Sequence, residues 1–486
     1  MDEQDKQGRR GFLRSAGAGA VGIAGLAATG AAEASAKAAS PAKCRDKGCD
    51  YDVVVIGGGF AGIAAARDSR KNGYKTLILE ARDRLGGRTL TTNFAGHEIE
   101  LGGTWIHWAQ PFVWAEVERY GLGVTDTPEG LDLNAEVLMV SIDGQLKVLG
   151  AEDLPAVYDA FSQYFAEARD LWTRPFDPKF GWQGLMARDG LSARDRLDQL
   201  KLSRVQRVAL EGYIAALGNA DVDKISYLET ARVWALSGCT LEGTNDVIGR
   251  YTLRNGTVSL VNAMMNDGKP DVRLSTVVRK IEQSGERVVV TTDKGERITS
   301  SAVVVALPMN VLPGVTFDPP LDPAVVEAGN VRHAGAGAKV FLKVRGKYQG
   351  AGKTLGVSDA SQAISMAFTY AKGEDHSIYV AFINDLTKID IHDKAALEQA
   401  LRVYLPDAVV EETLTHDWTR DPFSLGTWAA YRPNWYAKYV NHFHKDRGRV
   451  YFAQGDHAEG WHGFIDGAIG GGICAAERIK KTLGSA

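Results

Sequence analysis

Tyr51-Asp52-Val53-Val54-Val55-Ile56-Gly57-Gly58-Gly59-Phe60-Ala61-Gly62 is the stretch that decides the fold. A short β-branched run that stops at glycines reads as a buried parallel strand. Ile63-Ala64-Ala65-Ala66-Arg67 then opens an Ala-rich, charged segment through Lys71, which reads as a helix ended by Asn72-Gly73. Lys75-Thr76-Leu77-Ile78-Leu79-Glu80 reads as a second strand, completing one βαβ unit. Within it, Gly57-x-Gly59-x-x-Gly62 carries three separate tasks. Gly57 allows the tight turn, Gly59 lets backbone approach a pyrophosphate, and Gly62 lets helix and strand pack closely, with Ala61 in the same turn. The helix start offers N–H groups and positive dipole to phosphates. Glu80, ending the second strand, can accept hydrogen bonds from ribose hydroxyls. Strand, helix and distal acid together make a dinucleotide site.

The local motif does not choose between flavin and nicotinamide dinucleotides; its continuation does. Glu80-Ala81-Arg82-Asp83-Arg84-Leu85-Gly86-Gly87-Arg88-Thr89 runs from the ribose acid into a Gly-Gly-Arg turn that no nicotinamide site requires. Arg82, Gly87 and Arg88 are candidates there, Arg88 being suited to a second pyrophosphate contact. A charged, solvated loop is the alternative reading of the turn taken alone. Farther along, residues 127–250 are mostly helical in pattern, with examples at 157–172 and 203–216. The pattern returns to strands at 272–274, 287–292, 302–306, 338–344, 377–382 and 450–453, and a Gly-rich turn and a terminal helix follow.

Composition bounds the rest. A net charge of -4 argues against nucleic acid or an anionic membrane as the main partner. Cys44, Cys49, Cys239 and Cys474 have no zinc spacing, and a Cys44–Cys49 disulfide is left open. The first 36 residues hold Gly8-Arg9-Arg10-Gly11-Phe12-Leu13-Arg14, an apolar Ala/Gly run and the small-residue site Ala34-Ser35-Ala36. That is the layout of a twin-arginine signal, and it predicts export of a folded protein by that machinery to the periplasm. Residues 37–49 read as a linker, and no later segment is long and apolar enough for a membrane span.

Once these segments are set in order, the chain resembles the flavin monoamine oxidase family over nearly the whole length after residue 50. The resemblance rests on Leu101-Gly102-Gly103-Thr104-Trp105, Ser275-Thr276-Val277-Val278, Gly335-Ala336-Gly337-Ala338-Lys339-Val340, Phe452-Ala453-Gln454-Gly455-Asp456 and Gly460-Trp461-His462-Gly463-Phe464-Ile465-Asp466-Gly467-Ala468. Thr104-Trp105-Ile106-His107-Trp108-Ala109-Gln110-Pro111 and Asp421-Pro422-Phe423-Ser424-Leu425-Gly426-Thr427-Trp428 make it most similar to the exported nicotine-pathway members.

The resemblance implies an α/β fold in which a Rossmann-like FAD-binding domain (50–122, 254–328 and 421–486) is interleaved with a mixed α+β substrate domain (123–253 and 329–420). It implies that Gly103 and Thr104 pass along the flavin, that the Val278 backbone meets the adenine, and that Asp456 lies near the ribityl chain. Ile465 and Ala468 fall at the flavin and the start of the last helix. Trp428 and Phe464 match two aromatics that flank the amine path, with facing rings to steer the amine. Lys339 matches the family's single lysine and implies flavin reoxidation or electrostatic tuning. Where covalent members carry a cysteine, this chain has Thr427, so FAD is expected to be noncovalent.

The implied reaction is oxidation of a secondary or primary amine to an imine, which hydrolyses to a carbonyl compound and an amine. Dioxygen or a periplasmic carrier would take the electrons, and a homodimer is left open. Four competing readings remain, one of them an NAD-dependent dehydrogenase, which would purify without yellow colour. Amino-acid oxidation needs a cavity arginine, for which Arg232, Arg332 and Arg432 are available. Polyamine oxidation favours an acidic tunnel mouth. A noncatalytic flavin-binding module differs in class. Trp108, Trp234 and Tyr213 are candidates for lining the cavity, against core packing.

Overall fold

The computed structural model describes residues 48–127, 138–346, 355–443 and 445–484. The twin-arginine segment, Cys44 and most of the linker lie outside them. Two sheets organise what is described. The first has eight strands, and at its centre Tyr51–Ile56 lies parallel between Thr76–Leu79 and Arg297–Val305. Outward from these lie Asp271–Arg273 on one side and Arg287–Thr292, Val278–Ser284 and Thr316–Asp318 on the other. Arg297–Val305 is shared: its first half pairs antiparallel with Arg287–Thr292 and its second half parallel with Val450–Phe452. Val53, Val54 and Val55 have no exposed surface, as expected of a strand covered on both faces.

The second sheet has seven strands, in the order Val410–Thr415, Ala338–Arg345, His376–Ile383, Ile364–Lys372, Leu355–Ser358, Leu138–Ile142 and Gln145–Leu149. All neighbours are antiparallel except Leu355–Ser358 and Leu138–Ile142. The last two strands correct the helical reading of 127–250. They form a hairpin turning at Asp143-Gly144, both with positive φ, as a two-residue Asp-Gly hairpin turn requires. The long helix expected over 157–172 is also broken, into Leu154–Tyr164 and Ala168–Leu171. The Arg196 guanidinium takes the carbonyls of Gln163 and Tyr164, so a tertiary partner replaces the next helical turn. The helix expected at 203–216 is Arg204–Gly218, closed at its start by a Ser203/Gln206 capping box. No helix among the described residues is long and apolar enough to cross a membrane.

Candidate active site

A cavity of about 780 Å³ runs from the glycine turn of the first sheet to the rings of the second. Every cofactor-binding and catalytic candidate named above lines it except Gly62, whose Cβ position would meet the Gly57 carbonyl behind the turn.

The charged end is built from backbone. Gly57 turns with φ +102°, and a side chain on Gly62 would stand 1.9 Å from the Gly57 carbonyl oxygen, so only glycine lets the helix Phe60–Lys71 start so close to its strand. That helix has no side-chain cap and no acid in its first turn, so its leading N–H groups stay available to an anion. The second glycine turn folds onto the first, with the Gly86 N–H donating to Gly58 O at 2.8 Å. Glu80 is buried and braced by the N–H groups of Gly58 (2.6 Å) and Arg82 (2.9 Å). Arg82 itself turns to Asp421 (2.9 Å). Arg88 donates to Thr427 O (2.9 Å) and forms an ion pair with Asp456. Asp456 has no exposed surface, and its other oxygen accepts from Met309 N–H at 2.9 Å. Burial pushes this carboxyl up, but the Arg88 guanidinium beside it, with smaller help from His333 and His457, outweighs that and holds it at about 2.

The opposite end is built from rings. Trp105, Phe368 and Phe382 form a cluster with centroids 6.2–6.5 Å apart. Lys339 Nζ lies 5.3 Å from the Trp105 centroid and donates to Gly102 O and Thr104 Oγ1, each at 2.6 Å. Lys339 is buried on the inner strand Ala338–Arg345 and does not point to solvent. Burial lowers its ammonium to about 7, against the opposing pull of Glu100.

Trp428 and Phe464 meet here, but not as the facing pair expected. Their centroids are 4.5 Å apart with planes at 78°, edge to face, an arrangement that aromatic quadrupoles favour. Tyr213 lines the cavity, its hydroxyl donating to Asn245 Oδ1 at 2.7 Å. Trp234 does not line it; that ring stacks on Phe165 at 4.2 Å in the core. Trp108 is 60% exposed and also lies off the cavity.

Of the arginines considered as carboxylate clamps, Arg232 bonds Pro175 O and His462 away from the cavity. Arg432 donates to Arg332 O. Arg332 lines the cavity, but its charge acts on His333 together with those of Asp456 and Arg88, which places it at the charged end.

The sequence reading gave no role to Phe368, Phe382 or Gln454. The first two sit in alternating strands that look like any core. Gln454 is buried in the cavity wall, and neither atom of its amide has a partner among the described residues. A buried amide left bare is costly, so this one fits a polar group entering the cavity. Among the described residues no cysteine lines the cavity, and no group of His, Cys, Asp or Glu could hold a metal.

A cavity joining an open helix start to a buried lysine and a ring pair suits a flavin dinucleotide. Residues 60–480 match the family model of the flavin containing amine oxidoreductases. The chain belongs to that family. Among its relatives is a pseudooxynicotine dehydrogenase from a Pseudomonas species, 40% identical over 89% of this chain and 87% of the relative. A nicotine dehydrogenase from Pseudomonas putida (strain DSM 28022 / S16) is 36% identical over 98% and 97%. A solved structure of a putrescine oxidase triple mutant superposes with a TM-score of 0.77, at 23% identity over 89% of this chain and 99% of that one, and shares the fold. As a flavin-containing amine oxidoreductase, the protein is an FAD-dependent enzyme of amine oxidation.

Proposed function

We propose that the substrate is a secondary amine of the pseudooxynicotine type, carrying one basic nitrogen and an apolar body. The carrying observation is the amine end of the cavity. Trp105, Phe368, Phe382, Trp428 and Phe464 line the cavity together with the buried Lys339, whose ammonium lies over the Trp105 ring. The cavity's carboxylates, Glu80 and Asp456, are engaged at the other end, leaving none for a second ammonium as a polyamine would need. Arg332 is likewise at the other end, which disfavours an amino acid. The names of the two relatives above point the same way.

In this reading the first sheet and its helices form the FAD-binding part and the second sheet the substrate part. The chain positions both ligands by its own residues. The uncapped helix start and Arg88 face the pyrophosphate, and Glu80 the ribose. Gln454 offers its amide to the cofactor. Thr427, standing where attachment would need a thiol, leaves FAD noncovalent. FAD held by these residues would supply the acceptor for the hydride equivalent of the carbon beside nitrogen. The ring pair orients that C–H bond, and the apolar wall favours the neutral amine over its ammonium. Lys339, poised at about 7, holds or releases a proton at Nζ beside Thr104 and tunes the local field. The product imine hydrolyses to a carbonyl compound and a smaller amine. Both relatives are named dehydrogenases, which favours an electron carrier over dioxygen as acceptor. The Arg9-Arg10 segment supports export to the periplasm, and fractionation of an Arg9→Lys/Arg10→Lys variant tests it.

The substrate test is anaerobic mixing with pseudooxynicotine, nicotine, a monoamine, a polyamine and several amino acids, following loss of flavin absorbance. Fastest bleaching by pseudooxynicotine is expected. Faster reduction by a diamine or an amino acid would overturn the assignment. With the preferred amine, the rate should rise with pH as the bound amine loses its proton.

A further inference from the structure

Trp428 and Phe464 come from different loops, yet one carboxylate oxygen holds both. Glu229 Oε2 accepts the backbone N–H of Tyr431, three residues after Trp428, at 2.7 Å. The same oxygen lies 2.7 Å from His462 Nε2, two residues before Phe464. The tautomer follows from the other ring nitrogen. Arg232 Nη1 lies 3.2 Å from His462 Nδ1, and a guanidinium only donates, so Nδ1 accepts and Nε2 carries the proton to Glu229.

The grip is double on the Trp428 side, because Ser226 N–H donates to Tyr431 O at 2.9 Å. It is closed between the loops as well. The Tyr431 ring stacks on His462 at 4.6 Å, and its hydroxyl donates to Asp456 O at 2.8 Å. Glu229 and His462 are both buried, so water cannot replace these bonds. Glu229 itself stands in the first turn of Tyr227–Leu236, fixed by the Ser226 cap.

We propose that Glu229 is a positioning residue for amine oxidation. Through Oε2 it sets the spacing and angle of Trp428 against Phe464, with His462 as its arm to the second ring. This rests on the reading that those two rings contact the amine. A ring pair displaced by an ångström would still bind an amine but present the C–H bond badly. The loss therefore falls on the limiting rate of flavin reduction more than on the amine concentration at half-saturation.

The test uses the full-length, FAD-loaded enzyme with the fastest amine of the panel. A wild type blind to pseudooxynicotine would thus sink the substrate reading without touching this one. Glu229→Leu should lower the limiting rate of anaerobic flavin reduction roughly ten- to a hundredfold, with FAD content kept. It should also change the perturbation of flavin absorbance by a quaternary ammonium analogue of that amine. Glu229→Gln keeps an amide oxygen that accepts both bonds and should stay within about threefold of wild type. His462→Leu breaks only the Phe464 arm and should fall in between. The Glu229→Leu/His462→Leu double variant should cost no more than Glu229→Leu alone. An FAD-loaded Glu229→Leu reducing at the wild-type rate would overturn the proposal, as would losses that multiply in the double variant. If Glu229→Leu does not accumulate as holoenzyme, His462→Leu decides: a lowered limiting rate supports the proposal and an unchanged one overturns it.

Discussion

The two ends of the cavity solve opposite problems. The dinucleotide end is backbone and fixed charge. Its parts are two glycine turns in contact, a helix start left uncapped, a braced Glu80, and Arg88 locked to Asp456. The amine end is mostly side chain: rings from five separate stretches of chain and one buried lysine. The first end recognises a ligand by where N–H groups point, so it tolerates almost no change in the chain's path. The second recognises by surface and orientation, so it tolerates change in shape but translates it into rate. Damage to the first end should cost FAD itself, and damage to the second should cost turnover with FAD still bound.

The largest expected effect is at the first end. Gly62→Val puts side-chain carbon where the Gly57 carbonyl already stands, so the purified protein should be colourless. A yellow, FAD-loaded variant would show that the helix start is not what the cofactor needs. Next comes the second end. Trp428→Ala with Phe464→Ala should keep full flavin absorbance and lose roughly a hundredfold in the limiting rate of flavin reduction. Loss of FAD from that double variant would erase the distinction between the ends.

The same contrast explains what could be read in advance. The dinucleotide end is legible because its chemistry is local: Gly57 through Glu80 is one βαβ unit, and each residue's task follows from its place in it. Lys339 was named through family resemblance, and its burial and its bonds to Gly102 and Thr104 are what the structure adds. The amine end was not legible from pattern. Phe368 and Phe382 alternate like ordinary core residues, and only the sheet brings them to Trp105. Trp428 and Phe464 were named through family resemblance, and their edge-to-face packing could not follow from it. The missed hairpin at 138–149 is a different failure. Its Asp143-Gly144 signal was present, but it was swamped by the helical segments around it. Glu229 shows the deepest limit, since a carboxylate holding two loops leaves no trace in the sequence near either.

A smaller effect tests whether the charged end is fixed by its ion pair. Asp456→Asn leaves Arg88 without its partner and should destabilise the fold by about 3 kcal/mol near neutral pH, as for other broken buried pairs. The sign with pH is set by the direction of the shift. The folded-state carboxyl is held at about 2, below its ordinary 3.8. Its stabilisation is therefore present above pH 3.8 and lost as pH falls through 2. Thermal midpoints of the two proteins should converge over that window, and a constant gap would mean that packing rather than charge is at stake.

The smallest effect belongs to Lys339, and it runs the other way. Burial depresses its folded-state value from 10.5 to about 7, so between those pH values the unfolded chain binds more protons than the folded one. Stability tied to this lysine therefore rises with pH across that window. Lys339→Met removes the dependence, so any stability advantage it has near pH 7 should shrink steadily toward pH 10. The comparison also separates the lysine's two constraints. Glu100 pulls the ammonium up while burial pulls it down, so Glu100→Gln should move the start of the window to lower pH. An unmoved window would mean that Glu100 is held by Thr91 and Thr257 too firmly to act on Lys339. The amine end would then carry a charge set by its rings alone.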